Sequence, residues 1–335
     1  MAKIFYDGDV SLDVLKDKKV AVIGYGIQGH AQAQNLRDSG IDVLVGLREG
    51  GSSWEKARQD GFEPLNIKDA CKQADFIHIL IPDEVQAEVY KAEIKRYVKK
   101  GKTLGFSHGF NIHFKMIKPP ADVDVVMVAP KGPGRAVRAE YKAGFGVPAI
   151  FAVYQDASGE AKQAAMAFAK ALGGTKAGIL ETTFKEETET DLFGEQVDLC
   201  GGMAQLIKTS FEVLVEAGYQ PEIAYFETLH EMKLIVDLVH AGGLKHMWKN
   251  VSNNAEYGGL TRGSKIITDK TKKVMQKSLK EIQSGRYSRE FIKDYKNGFK
   301  NLHALQEKEG ELLLEKIGGE LRDKMLRKKE EVKAA

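Results

Sequence analysis

The sequence is short of the features that would place a protein outside the cell or in a membrane. Of its 335 residues only two are cysteine, Cys71 and Cys200, far apart and outside any C-x-x-C pair. That excludes a disulfide framework and points to free thiols in a reducing cytoplasm. No apolar run is long enough to span a bilayer, and Met1-Ala-Lys-Ile lacks the apolar stretch of a secretion signal. An excess of one charge is also lacking. A formal net charge of +3 gives no reason to invoke a nucleic acid or a membrane surface as partner. Internal repeats with periods of roughly 20–50 residues are absent as well. What remains is the composition of a cytoplasmic globular protein, too long for one core, so two domains are expected.

The amino-terminal half alternates between strand and helix. Lys19-Val-Ala-Val-Ile is a short apolar run of buried-strand type, followed at once by Gly24-Tyr25-Gly26-Ile27-Gln28-Gly29 and a helical stretch to Asp38. Asp42-Val-Leu-Val-Gly46 is the next strand. This strand–turn–helix–strand context is what the G-x-G-x-x-G dinucleotide fingerprint requires. Gly24 allows the tight turn, Gly26 lets the backbone approach a pyrophosphate, and Gly29 lets helix and strand pack closely. The helix N-terminus then faces the phosphates. The bland alternative is a glycine-rich turn without a ligand.

Further strands are expected at Asp75–Ile81, Thr103–Phe106, Val123–Ala129 and Ala149–Tyr154. In open α/β sheets ligands sit at the carboxyl ends of the strands, which is where His108 and Lys131 fall. The second strand runs into Arg48, Glu49, Ser52 and Ser53. An Arg and two hydroxyls suit the 2′-phosphate of NADP, whereas Glu49 argues for the free ribose of NAD.

From about Thr182 onward strand-like runs give way to helical ones: Glu186–Glu216, Ile223–His240 and Ser288–Gly318. Gly201-Gly202 inside the first is expected to serve close contact between helices, and Asn250–Gly259 reads as a polar binding loop. The expected division is 1–181 for a Rossmann-like NADP-binding domain, 182–327 for an all-α domain, and 328–335 for a frayed tail.

Two pairs of acids stand out in the helical half, Asp191 with Glu195 and Glu227 with Glu231. Each pair has i, i+4 spacing, so each puts two carboxylates on one helix face. Solvated helix faces often carry such pairs. Here the neighbours are apolar or small, and four acids buried together would repel unless cations neutralised them. Oxygen-only ligands suit a hard ion such as Mg²⁺.

Six motifs, in order, carry a family resemblance: Gly24-Tyr-Gly-Ile-Gln-Gly-His-Ala31, Ser107-His-Gly-Phe-Asn111, Pro130-Lys-Gly-Pro-Gly134, Asp191-Leu-Phe-Gly-Glu-Gln196, Glu227-Thr-Leu-His-Glu231 and Ser252-Asn-Asn-Ala-Glu-Tyr-Gly258. With them the chain resembles the ketol-acid reductoisomerase family, in its short form with one helical domain per subunit. The resemblance implies a Rossmann-like domain followed by an all-α knotted one. It also implies alkyl migration in (S)-2-acetolactate or 2-aceto-2-hydroxybutanoate, then reduction by a nicotinamide cofactor to a 2,3-dihydroxy-3-alkyl acid, a step of branched-chain amino-acid biosynthesis. Two Mg²⁺ ions are implied: Asp191 bridging them, Glu195 on one, Glu227 and Glu231 completing the shells. Ser252 would hold the substrate carboxylate, while His108, Lys131 and Glu195 serve catalysis. NADPH, with NADH as a weaker alternative, would be held by Gly24, Tyr25, Gly26, Ile27, Gln28, Gly29, Arg48, Ser52, Ser53, Asp83, Gln86 and Gly134. At least a homodimer is implied, with Glu227, Glu231 and Ser252 supplied by the partner chain.

Ile27, Glu49 and Gly51 depart from the family's usual residues, which puts strict NADPH preference in question. Two rival readings stay open on the sequence alone. One is a metal-independent β-hydroxyacid dehydrogenase, which also joins a Rossmann domain to helices; the other is an NADP-sensing protein without turnover.

Overall fold

Apolar runs too short for helices, each closed by glycine, proline or a polar turn, make the sheet of this protein. The computed structural model of the chain describes residues 2–325. The expected tail, 328–335, and the last residues assigned to the helical domain lie outside them. The strands are β1 (Ile4–Phe5), β2 (Lys19–Ile23), β3 (Asp42–Leu47), β4 (Leu65–Asn66), β5 (Phe76–Ile79), β6 (Thr103–Phe106), β7 (Asp124–Pro130), β8 (Ala149–Gln155) and β9 (Ile179–Thr182). They form one sheet in the order β1-β9-β8-β7-β6-β5-β2-β3-β4.

From β4 to β7 every neighbouring pair is parallel, with Val20 opposite both Val43 and Phe76. That is the doubly wound order, and its direction of winding reverses between β2 and β5. Beyond it β8 runs antiparallel to β7, β9 parallel to β8, and β1 antiparallel to β9. Strands β1, β4 and β9, four residues or fewer, were not expected from the sequence: β1 and β4 are two-residue edge strands, too short to carry a periodic pattern, and β9 is a four-residue strand lying between β1 and β8. Helices cover both faces, and β5 and β6 are buried throughout, as parallel strands between helical layers must be. Val22, Val45 and Phe168 belong to one apolar layer, Ile23, Ile77 and Leu104 to the other.

The chain divides into two compact units, Met1–Thr190 and Asp191–Ala335, and the division falls inside the helix Phe184–Gly194. The second unit is helical. Its long first stretch is interrupted by a π-turn, Glu195–Leu199, before the helix Gly201–Glu216. A second π-turn, Phe226–His230, separates Pro221–Tyr225 from Glu231–Lys249. The latter bends at Gly242-Gly243, where Gly243 has φ +78°. Asn253–Ile266, Asp269–Gln283, Arg286–Lys296, Lys300–Gly310 and Leu313–Lys324 follow. The expected single helix Ser288–Gly318 is thus three helices, broken at Gly298-Phe299 and Glu311-Leu312.

Two expectations are corrected here. Within the chain, what Gly201 and Gly202 make room for is their own helix and not a neighbouring one. A Cβ on either would run into the carbonyl of Gln196 or Val197, because a π-turn brings residue i under residue i+5. Asn250–Gly259 is not a loop: from Asn253 it is helix, started by Ser252, whose hydroxyl accepts from the Ala255 N–H at 3.1 Å.

Candidate functional site

The fingerprint turn forms because only glycine satisfies it. Gly24 has φ +108°, and a Cβ there would lie 2.7 Å from the Leu80 carbonyl oxygen. Gly29 lies against the Gly24 carbonyl, which seats the helix Ile27–Asp38 on β2. Gly26, the residue before that helix, has nothing within 4 Å of where a Cβ would stand. The helix N-terminus therefore opens onto vacant space, as an anion site requires. A cavity of about 520 Å³ lies there, lined by Gly24, Tyr25, Gly26, Arg48, Ser52 and Ser53 among others. It sits at the carboxyl ends of β2, β3 and β5, the switch point of the sheet. A dinucleotide fits this donor set: open backbone amides for the pyrophosphate, and a guanidinium with two hydroxyls at the rim.

The other predicted cofactor residues fall into different roles. Ile27 is 75% exposed at the start of the helix. Gln28 donates to the Gly132 carbonyl at 3.0 Å and accepts from Gln32 at 3.1 Å. It ties the cofactor helix to the loop carrying Lys131. Gln86 is buried and donates to the Ile81 carbonyl and to Asp83, so it shapes the turn after β5. A Cβ on Gly134 would enter the Ile27 carbonyl, which makes Gly134 the contact between two helices. Tyr25 is 2% exposed, and its hydroxyl donates to Asp60 at 2.9 Å. Burial, reinforced by Asp60, holds its phenol well above the usual tyrosine range.

His108 and Lys131 follow β6 and β7. The Nδ1 of His108 lies 2.7 Å from Asp83, which follows the cavity-lining Pro82. Asn111 donates to the Asp83 carbonyl and to Gln86, closing the loop onto the same turn. The Gly109 N–H donates to Glu187 at 2.9 Å, and Lys131 Nζ lies 3.6 Å from the same carboxylate. The Glu187 side chain is 1% exposed, and one of its oxygens lies within 4.8 Å of a His108 ring nitrogen. Glu187 therefore organises both loops that bear the expected proton-transfer residues. The sequence reading missed it, although the signal was present: Glu187, Asp191 and Glu195 recur at i, i+4, i+8. Under β5 and β6 a further polar chain supports the same loops. Buried His78 contacts Gln32 and Ser107 through Nε2, and Gln32 reaches Gln28. Burial pushes the His78 imidazolium down to about 3. Burial also lowers His113, opposed by its neighbour Glu189.

In the helical unit the predicted ligands are differently placed from the expectation of four acids buried together. Asp191 is half-buried, whereas Glu195, Glu227, Glu231 and Ser252 are exposed. Among the described residues, no cluster of three or more potential ligands joins Asp191 and Glu195 with Glu227 and Glu231 within one chain. Each pair instead abuts a π-turn: Glu195 opens the first, Glu227 lies in the second and Glu231 follows it. Such turns add a residue to the helix and re-aim the side chains beside it, and they are frequent at functional sites. The donor chemistry suits Mg²⁺, all carboxylate oxygen with room for water and substrate.

The chain is similar to known proteins along nearly its whole length. Residues 14–178 match the family described as acetohydroxy acid isomeroreductase, NADPH-binding domain, and residues 184–327 match ketol-acid reductoisomerase, C-terminal domain. A ketol-acid reductoisomerase (NADP(+)) of Methanocaldococcus jannaschii is 58% identical over 96% of this chain and 98% of its own. One of Methanococcus maripaludis is 56% identical over 98% of this chain and 100% of its own. Among solved structures, an NADH-preferring ketol-acid reductoisomerase from an uncultured archaeon is 54% identical. It superposes with a TM-score of 0.93 over 96% of this chain and 98% of that one.

Proposed function

The chain belongs to the ketol-acid reductoisomerase family, and from that premise we propose how its residues carry out the reaction. The activity is that of an NADP-dependent ketol-acid reductoisomerase. A 2-hydroxy-3-keto acid such as 2-acetolactate undergoes alkyl migration and is then reduced to the 2,3-dihydroxy-3-alkyl acid. The observation that carries this reading is the concurrence of a family match along nearly the whole chain with a site of fitting chemistry: a dinucleotide cavity one residue from Asp83, whose partner His108 shares a neighbourhood with Lys131 and Glu187.

We assign residues 1–181 to the cofactor and 182–327 to metal and substrate. Asp191, Glu195, Glu227 and Glu231 are the residues that would hold two Mg²⁺ ions, which when bound supply Lewis-acid polarisation of the substrate's hydroxyl and carbonyl oxygens. Bound NADPH supplies the hydride. The rest falls to the protein. Asp83 pins His108 through Nδ1, so Nε2 is the nitrogen that handles a proton. Lys131, held by Glu187, keeps positive charge where negative charge develops on substrate oxygen. Ser252 spends a lone pair on its helix cap, which leaves the hydroxyl proton to donate to the substrate carboxylate. The exposed acids and the exposed Leu234, Val236, Leu244 and Leu260 of the helical unit favour a dimer in which a second copy completes the ligand set. A knotted helical domain and a cytoplasmic location belong to the same proposal.

NADPH is the preferred cofactor by about ten- to a hundredfold. A charge-assisted contact from the 2′-phosphate to Arg48, Ser52 and Ser53 contributes roughly 1.5–3 kcal/mol, which exposed Glu49 partly offsets.

The test is NADPH consumption with acetolactate, with Mg²⁺ and with EDTA, for the unmodified chain and Asp191→Asn. We expect a loss on the order of 10³-fold on chelation or substitution. Undiminished turnover of Asp191→Asn in metal-free buffer would return the chain to the metal-independent dehydrogenase reading.

A further inference from the structure

The loop that faces the cofactor's 2′ position is the start of a helix, Ser52–Gln59. That helix is eight residues long; it buries Ala57 and packs half-buried Trp54 against the core. At about 1.5 Å per residue it spans roughly 12 Å, and a tilt of about 10° over that length displaces one end by about 2 Å relative to the other. A hydrogen bond from Ser52 or Ser53 does not survive a shift of that size. Trp54 anchors one turn of the helix, and the tilt of the helix about that point depends on how the far end is anchored.

The far end is Asp60, and it is anchored three ways. Its carboxylate accepts from the Tyr25 hydroxyl at 2.9 Å and lies 3.4 Å from His30 Nε2. Its carbonyl accepts from Arg37 at 2.6 Å. Arg37 in turn lies over the Phe62 ring at 4.6 Å, and Tyr25 meets Phe62 and His30 edge to face. Tyr25, His30 and Arg37 all come from the fingerprint turn and its helix. The phosphate-binding element and the 2′-facing helix are thus joined through Tyr25, at the edge of the cavity that this residue lines. A phenylalanine at position 25 would fill the same space. The hydroxyl is the added feature, and a buried tyrosine hydroxyl requires a partner.

We infer that Asp60 is a positioning residue for cofactor discrimination: held by Tyr25, it fixes the helix Ser52–Gln59 so that Arg48, Ser52 and Ser53 meet the 2′-phosphate. The inference rests on the reading of the cavity as the NADP(H) site. It predicts that loosening Asp60 harms NADPH binding and leaves NADH binding largely intact, since NADH has no 2′-phosphate to misplace.

The experiment is direct binding of NADPH and of NADH to the full chain, with hydrogen exchange of the amides of residues 52–59 in the cofactor-free protein. Asp60→Leu should raise the Kd for NADPH about five- to tenfold and that for NADH less than about twofold, and should speed exchange in the helix. Asp60→Asn keeps an oxygen that accepts from Tyr25 and should restore the Kd to within about twofold. Tyr25→Phe removes the same bond. Combined with Asp60→Leu it should add little to the exchange rate, as coupled residues do, and it replaces Asp60→Leu if that variant does not fold. Equal weakening of both nucleotides, or an unchanged Kd for NADPH, overturns the inference. If the unmodified chain binds neither dinucleotide, the reading of the cavity fails instead, and the exchange rates alone then decide whether Asp60 holds the helix.

Discussion

Replacing Glu187 by Gln is the sharpest probe of the catalytic side of the site. The change keeps the shape of a side chain that is 1% exposed and removes only its charge. Two of its interactions set the size of the effect. The Gly109 N–H, 2.9 Å away, would donate to a neutral amide oxygen in place of a carboxylate, a loss of about 1–1.5 kcal/mol. The ion pair with Lys131 disappears. Because that lysine is 41% exposed, water screens the pair, and it contributes only about 0.5–1 kcal/mol. The sum is about 2 kcal/mol, or roughly thirtyfold in an equilibrium or rate. Glu187 touches both loops that present His108 and Lys131, so the loss should appear in kcat/KM for acetolactate, read from the absorbance of the reduced nicotinamide. A purely structural role gives another pattern. The melting midpoint would drop by about 4–8 °C, while kcat/KM measured well below the transition stayed unchanged. That outcome would show that Glu187 secures the fold and does not align the reacting groups.

Two further predictions follow from the same geometry. His78 is depressed to about 3 by burial, so its neutral form belongs to the fold. The unfolded chain takes up the proton near pH 6.5 and the folded one does not, so stability is full above about pH 6.5 and falls as the pH drops toward 3. The loss from this group should be about 2 kcal/mol between roughly pH 7 and pH 5. Urea midpoints across that range should show it, and His78→Gln should flatten the slope; an equal slope in the variant refutes the assignment. Finally, coexpressed Asp191→Asn and Glu227→Gln chains, each inactive alone, should recover partial activity in verified heterodimers. Continued inactivity would place the whole ligand set in one chain.

Most of the sheet was legible because its strands are punctuated. Lys19–Ile23 ends at Gly24, Phe76–Ile79 near Pro82, and Asp124–Pro130 at the proline itself. Parallel strands between two helical layers must be continuously apolar, and such runs stand out. Strand direction was not legible. β8 is as apolar as β7 yet antiparallel to it, since the polarity of a strand depends on the path of the connection and not on its own residues. The π-turns were also hidden. Their sequences, Glu195–Leu199 and Phe226–His230, keep helical spacing, and the only trace of the first is the glycine pair Gly201-Gly202. Those glycines were read as contact with another helix because a π-turn and a close helix crossing make the same demand for a missing Cβ.

At the site, the residues that glycine or charge advertises were legible, and those that act from beneath were not. Gly24 and Gly29 each meet a steric need within the chain, and Gly26 leaves the space before the helix open, as the fingerprint states outright. Asp60 and Glu187 are ordinary acids in the sequence; only their burial separates them from solvated acids such as Glu55, whose side chain is 70% exposed. The proposed metal ligands show the limit most clearly. Spacing finds Asp191 with Glu195 and Glu227 with Glu231, because i, i+4 is a property of one helix. Whether the two pairs meet depends on surfaces that no local pattern encodes. Within one chain they do not form a cluster, and the helical unit that carries them leaves Leu199, Val213, Leu234, Val236 and Leu260 exposed. Apolar exposure on that scale is unusual for a protein that works as a monomer. The proposed dimer answers both features: a second copy would cover the apolar helices and bring its own acid pair with it. On this view the catalytic centre is a property of the assembly, and the helix spacing that first marked the four acids describes only half of it at a time.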